Sequence, residues 1–171
     1  MITLQQLVRI LEPWQSAYSN SKVLPVAVTA VHLTSLLFGG GLAVASDRSL
    51  LRAMRADAAE RVRQLVHIRE VHRPVLVALA LMFVSGLLFA TADIKTFLTT
   101  PAFYVKLSLV ALLVTNGAVL TITETRLRLT VAAGQEEQAR PLWNRLRVSS
   151  WCSLFLWSAT LLAGVVLANV T

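Results

Sequence analysis

Two ionisable side chains, His32 and Lys106, fall inside long apolar stretches of this chain. A group of that kind is costly in hydrocarbon and marks a functional site by default. Each has companions at helical spacing. Steps of three, four and seven residues return to one helix face, so His32, Ser35, Leu36 and Gly39 form one stripe, and Lys106, Val110, Leu113 and Gly117 another. Both stripes carry a polar group toward one end and a glycine two or three turns inward. Such a surface suits a flat, mostly apolar macrocycle, with a ligand at one level and no side chain where the ring lies. The cofactor this points to is haem b, for which imidazole is a common protein ligand. His32 is then the axial ligand, and Lys106 is either a second ligand, if neutral, or a propionate partner, if charged.

Each residue also has a plainer reading. Glycines in membrane helices permit close helix packing, and a lysine near a span end reaches back to the headgroups. A single membrane histidine can hydrogen-bond to a neighbouring span, with Asn116 or Thr115 as partners. His67 and His72 are weaker candidates: their spacing is not the i, i+4 that aligns two ligands. They stand among Arg69, Glu70 and Arg73, where a solvated interface accounts for them. His72 lies roughly 20 Å in depth from His32 at 1.5 Å per helical residue, so the two cannot hold one iron, although a homodimer would bring in a second histidine. Asp47 and Asp93 sit at span ends, where capping or hydration explains them. No paired carboxylate within the spans, Gly-rich phosphate loop or metalloprotease motif is present, and no catalytic residue emerges. Cys152, the one cysteine, excludes an internal disulfide and reads as a small packing residue.

The elements that must position these residues are apolar blocks. Residues 23–45, 74–92, 103–122 and 151–170 each approach the ~20 residues that cross a ~30 Å hydrocarbon core as a helix. Backbone groups in lipid need internal partners, so helices are the expectation. The fold class is therefore all-α: one integral membrane four-helix bundle over residues 1–171. Residues 2–19 space Leu4, Leu7, Leu11 and Trp14 among Gln and Arg, as in an amphipathic helix on the membrane surface. It is not a cleavable signal.

The net charge of +7 invites a nucleic-acid reading until its distribution is examined. Arginines crowd between spans one and two and between spans three and four, while the opposite side holds only Arg9, Lys22 and Lys95. That asymmetry places the arginine-rich loops in the cytoplasm and both termini outside it. The charge faces lipid headgroups, and no nucleic acid is expected. His32 and Lys106 then share the outer leaflet, their depths differing by roughly 5–8 Å. The stretch from Ser49 to Val71 is expected to continue span one as a helix, with Pro74 opening span two. Gly134 and Pro141 are expected to break the second loop into helix, turn and helix.

The stretch VHLTSLLFGGGLAVASDRSLL resembles the first span of small bacterial four-helix membrane proteins. PAFYVKLSLVALLVTNG is similar to their third. The pattern is shared by membrane protoporphyrinogen oxidases, copper-resistance D-type proteins and an uncharacterised haem-binding-like group, the last nearest in overall shape. The resemblance implies haem held at the positions of His32 and Lys106, in a bacterial inner membrane. Phe38 stands where the oxidase pattern has tryptophan. The expected function is electron transfer or redox chemistry, with a quinone or porphyrin as partner. The alternatives are a cofactor-free accessory subunit of a larger membrane complex, a protoporphyrinogen oxidase-like enzyme, and copper handling.

Overall fold

The computed structural model describes residues 4–170, apart from the side chains of residues 4, 58 and 66–69. It contains six helices: α1 (Leu4–Asn20), α2 (Val23–Ala53), α3 (Ala58–Ala92), α4 (Ile94–Thr99), α5 (Pro101–Ala132) and α6 (Glu136–Val170). The four long ones contain 31 to 35 residues and are apolar enough to cross a membrane. At 1.5 Å per residue each is about 47–53 Å long, against a ~30 Å hydrocarbon core. The bundle therefore continues well past the lipid at one end, the arginine-rich end, where the α2–α3 and α5–α6 turns lie.

The helices pack as two antiparallel hairpins, α2 with α3 and α5 with α6, joined along α2 and α6. The facing pair, α3 and α5, is not closely packed. Large side chains such as Leu37, Phe38, Phe83, Phe155 and Leu162 point outward, an apolar surface that lipid accommodates and water does not. The tightest core is at the arginine-rich end, where Leu50, Leu65, Leu127 and Leu146 from all four long helices are at most 2 % exposed. Outside the hydrocarbon the hydrophobic effect acts in full, which explains why the densest leucine cluster gathers there. A second layer at mid-bundle joins Met82, Leu113 and Trp157.

The first arginine-rich connection departs from the sequence expectation, while the second is the helix, turn and helix expected, with only Pro141 placed differently. The chain between the first two spans does not extend α2 as far as Val71. It turns at residues 54–57 and restarts as α3, because the Asp57 carboxylate accepts from the Glu60 backbone N–H at 2.8 Å and caps a new helix. Pro74 consequently lies inside α3 rather than at its start. In the second connection Gly134, at φ +70°, ends α5. Pro141 does not interrupt α6, which already begins at Glu136.

At the opposite end α1 does more than lie on a surface. Trp14 Nε1 donates to the Leu88 carbonyl at 3.4 Å and Gln15 Nε2 to that of Thr91 at 3.1 Å. These bonds dock α1 on the last turns of α3. The short α4 links the hairpins, and Pro101 opens α5, where its missing N–H costs nothing.

Candidate functional site

His32 reaches from α2 to α3. Its Nδ1 lies 2.9 Å from Ser85 Oγ, and Ser85 is 2 % exposed. The serine hydroxyl has one proton, which it donates to the Leu81 carbonyl at 2.7 Å, with that of Met82 at 3.1 Å. With that proton on the Leu81 carbonyl, Ser85 Oγ accepts from the ring. In that tautomer Nδ1 carries the proton and Nε2 the lone pair, the arrangement a metal-ligating histidine needs. Phe89 meets the imidazole edge-on, ring centroids 5.6 Å apart. Gly86 lies beside it, where a Cβ would make an ordinary contact, 3.5 Å from His32 Cε1. Ser85, not Asn116 or Thr115, is thus the cross-helix partner. Asn116 instead donates to the Ser149 carbonyl at 3.0 Å and accepts from Ser149 Oγ at 2.9 Å, tying α5 to α6.

Lys106 is half-buried on α5 and turns toward α6. A Cβ at Gly164 would lie 3.4 Å from its Nζ. No carboxylate among the described residues pairs with it, and its charge acts on the His32 imidazole. One turn inward from Gly164, Thr160 is 2 % exposed, and its Oγ1 has no hydrogen-bond partner among the described residues. Ser35, buried at 7 % exposure, lies one turn inward of His32. The side chains of His32, Ser85 and Lys106 thus face the bundle interior at the end opposite the arginines.

The two glycine stripes do not meet. A Cβ on Gly39 would come within 2.7 Å of Ala78 Cβ, so this glycine is spent on bringing α2 against α3. Gly40 does the same for α6, 3.1 Å from the Trp157 ring. Gly117 is open, with no atom within 4 Å of an added Cβ, but it lines a cavity nearer the arginine-rich end.

That end holds a second polar centre that the sequence reading passed over. Asp47, expected at a hydrated span end, is 5 % exposed, with the Ser153 and Ser150 hydroxyls of α6 beside its carboxyl. The bundle runs on past the apolar run and buries it. His72, expected in solvent, has a side chain 22 % exposed, with Nδ1 4.0 Å from Glu124 Oε2. Its Nε2 bonds Thr121 Oγ1 at 2.5 Å, and Thr121 donates its own proton to the Gly117 carbonyl. Glu124 is 4 % exposed, and Arg128 Nη1 stands 3.7 Å from its Oε1. The His67 side chain lies outside the described residues. No group of three or more His, Cys, Asp or Glu side chains gathers at metal-binding distance among the described residues. Compared with protein-family models, curated proteins and solved structures, the chain matches none of them.

Proposed function

We propose that this chain is a haem b-binding membrane protein, with His32 Nε2 as the axial ligand at the end opposite the arginines. The observation that carries the reading is the His32–Ser85–Leu81 relay, which supports Nδ1 as donor and Nε2 as the nitrogen that would ligate. The surroundings fit the group. Lys106 is a half-buried cation without a carboxylate partner among the described residues, and a propionate would supply one. Thr160 Oγ1 is a buried hydroxyl still lacking a partner. A haem supplies one-electron redox chemistry. The chain's own residues would hold it: His32 as the ligand, Ser85 and Phe89 positioning the imidazole, and Lys106 balancing the charge. Because Ala78 closes the space at Gly39, the macrocycle does not lie there. The arginine asymmetry supports cytoplasmic arginine-rich turns, and the resemblance of the first and third spans implies a bacterial inner membrane.

The test is an absorption spectrum of the purified protein. A Soret band that disappears in His32→Ala is expected. Absence of the band, or indifference to that substitution, refutes the proposal. Lys106→Met separates the lysine's roles: a changed ligand-field spectrum marks it as an iron ligand, and an unchanged one as a propionate partner.

A second reading draws on Gly39 and Gly40, both used up in helix contacts. In it the chain is a cofactor-free subunit of a larger membrane complex, and His32 is an interhelical tie. A stoichiometric large partner that co-purifies without pigment would favour it.

A further inference from the structure

We propose that the cavity near the arginine-rich end is a second ligand site, for the head group of a membrane-soluble quinone or hydroquinone. The chemistry required is a neutral six-membered ring with hydrogen-bonding oxygens at opposite ends. This site is separate from His32, and the proposal holds whether or not haem is bound.

The cavity has a volume of about 220 Å³ and is bounded by all four long helices. A buried apolar cavity of about 150 Å³ accepts benzene, so this one holds a single substituted ring and is too small for a tetrapyrrole. Its mouth faces lipid. Leu76 and Val114 line the cavity, yet they are 57 % and 54 % exposed on the outer surfaces of α3 and α5. These are the two helices that do not pack closely. An occupant therefore comes from the bilayer, which disfavours a permanently charged one. The side walls are apolar: Leu79, Leu113 and Trp157, whose indole can contact an aromatic ring.

Two polar groups interrupt these walls, on different helix pairs. Ser46, Asp47 and Ser153 line the cavity from α2 and α6, and His72 and Thr121 line it from α3 and α5. The Asp47 carboxylate accepts from an O–H. His72 Nε2 is paired with Thr121 Oγ1, and with Thr121 donating to the Gly117 carbonyl it acts as a donor for which a ring oxygen can compete. A ring with oxygens at both ends answers both groups. A phospholipid acyl chain would fill the same volume and leave both unanswered, and an anion would meet Asp47.

The test uses the full chain in lipid nanodiscs. Trp14, Trp143 and Trp151 are replaced by Phe, so that Trp157 is the one remaining tryptophan of four. The probe is a decyl-substituted dimethoxybenzoquinone, which quenches indole fluorescence on contact. Saturable quenching is expected, in the His32→Ala background as well. Gly117→Leu fills the cavity from a position with no atom within 4 Å of its Cβ, and should weaken binding at least tenfold. Val114→Phe, at the lipid-facing mouth, should do the same if the first variant does not fold. Asp47→Asn replaces an acceptor with a group that also donates, so it should shift preference from hydroquinone toward quinone. Quenching that rises linearly with probe and is unchanged in the cavity variants is mere partitioning into lipid, and overturns the proposal. So does a phospholipid retained in native mass spectra that the probe does not displace.

Discussion

Three consecutive glycines, Gly39, Gly40 and Gly41, meet three different surroundings and should answer alanine substitution in three different ways. At Gly39 the new Cβ would stand 2.7 Å from Ala78 Cβ. Carbon atoms settle near 3.5–4.0 Å, so α2 and α3 must part by roughly 1 Å. Overpacking of that kind costs about 1–3 kcal/mol, offset by at most ~1 kcal/mol of gained helix propensity. A net loss of about 1–2 kcal/mol is expected. At Gly40 the neighbour is the edge of the Trp157 ring at 3.1 Å, which needs to yield only a few tenths of an ångström, so the change should be near neutral. At Gly41 nothing lies within 4 Å, and Gly41→Ala should be neutral or mildly stabilising. The decisive arm is the exchange Gly39→Ala with Ala78→Gly. The new methyl then meets Ala78 Cα at 3.8 Å, an ordinary contact, and most of the lost stability should return. Reversible unfolding in mixed micelles, titrated with SDS, measures all four variants. If Gly39→Ala proves as stable as Gly41→Ala, or the exchange fails to rescue it, the α2–α3 contact is not as described.

Ser85→Ala removes the acceptor that holds His32 Nδ1 and should weaken haem retention by about 10–100-fold, read by haem loss to an acceptor protein. Asn116 and Ser149 form a reciprocal tie. A double-mutant cycle of Asn116→Leu and Ser149→Ala should return a coupling of about 0.6 kcal/mol, the scale of hydrogen bonds between membrane helices. Gly134→Ala forces a side chain into the left-handed region at φ +70° and should cost about 1–2 kcal/mol in the same unfolding assay.

The four spans were legible because an apolar run of bilayer length admits little else. What lies beyond them was less so. The stretch after Arg52 is rich in good helix formers and reads as one helix, yet Asp57 followed three residues later by Glu60 was a capping signal available to be read. Proline was over-weighted as a boundary: Pro74 and Pro141 both sit inside helices. Asp47 stands at the end of an apolar run, which does not mark the end of burial, because the bundle buries side chains well past the lipid. Ser85 carried no mark of its own. Its importance comes from an imidazole 53 residues away, a pairing that only the helix crossing creates. The inward orientation of His32 and Lys106 followed from helical spacing alone, but the sharing of one gap by Gly39 and Gly117 did not. Which glycine is sealed depends on Ala78, and spacing within one helix says nothing about the helix opposite.

The hairpin arrangement bears on how the molecule is made. Most helix–helix contact lies within each hairpin, α2 with α3 and α5 with α6, and the hairpins join along α2 and α6. Each hairpin can therefore enter the bilayer as a closed unit, before the other has been synthesised. The link between them is the six-residue α4 with its flanking residues, and α4 buries none of its own side chains. A chain divided there and supplied as two polypeptides should reassemble in the membrane. The biosynthetic order of the helices is then a convenience of translation, not a requirement of the fold.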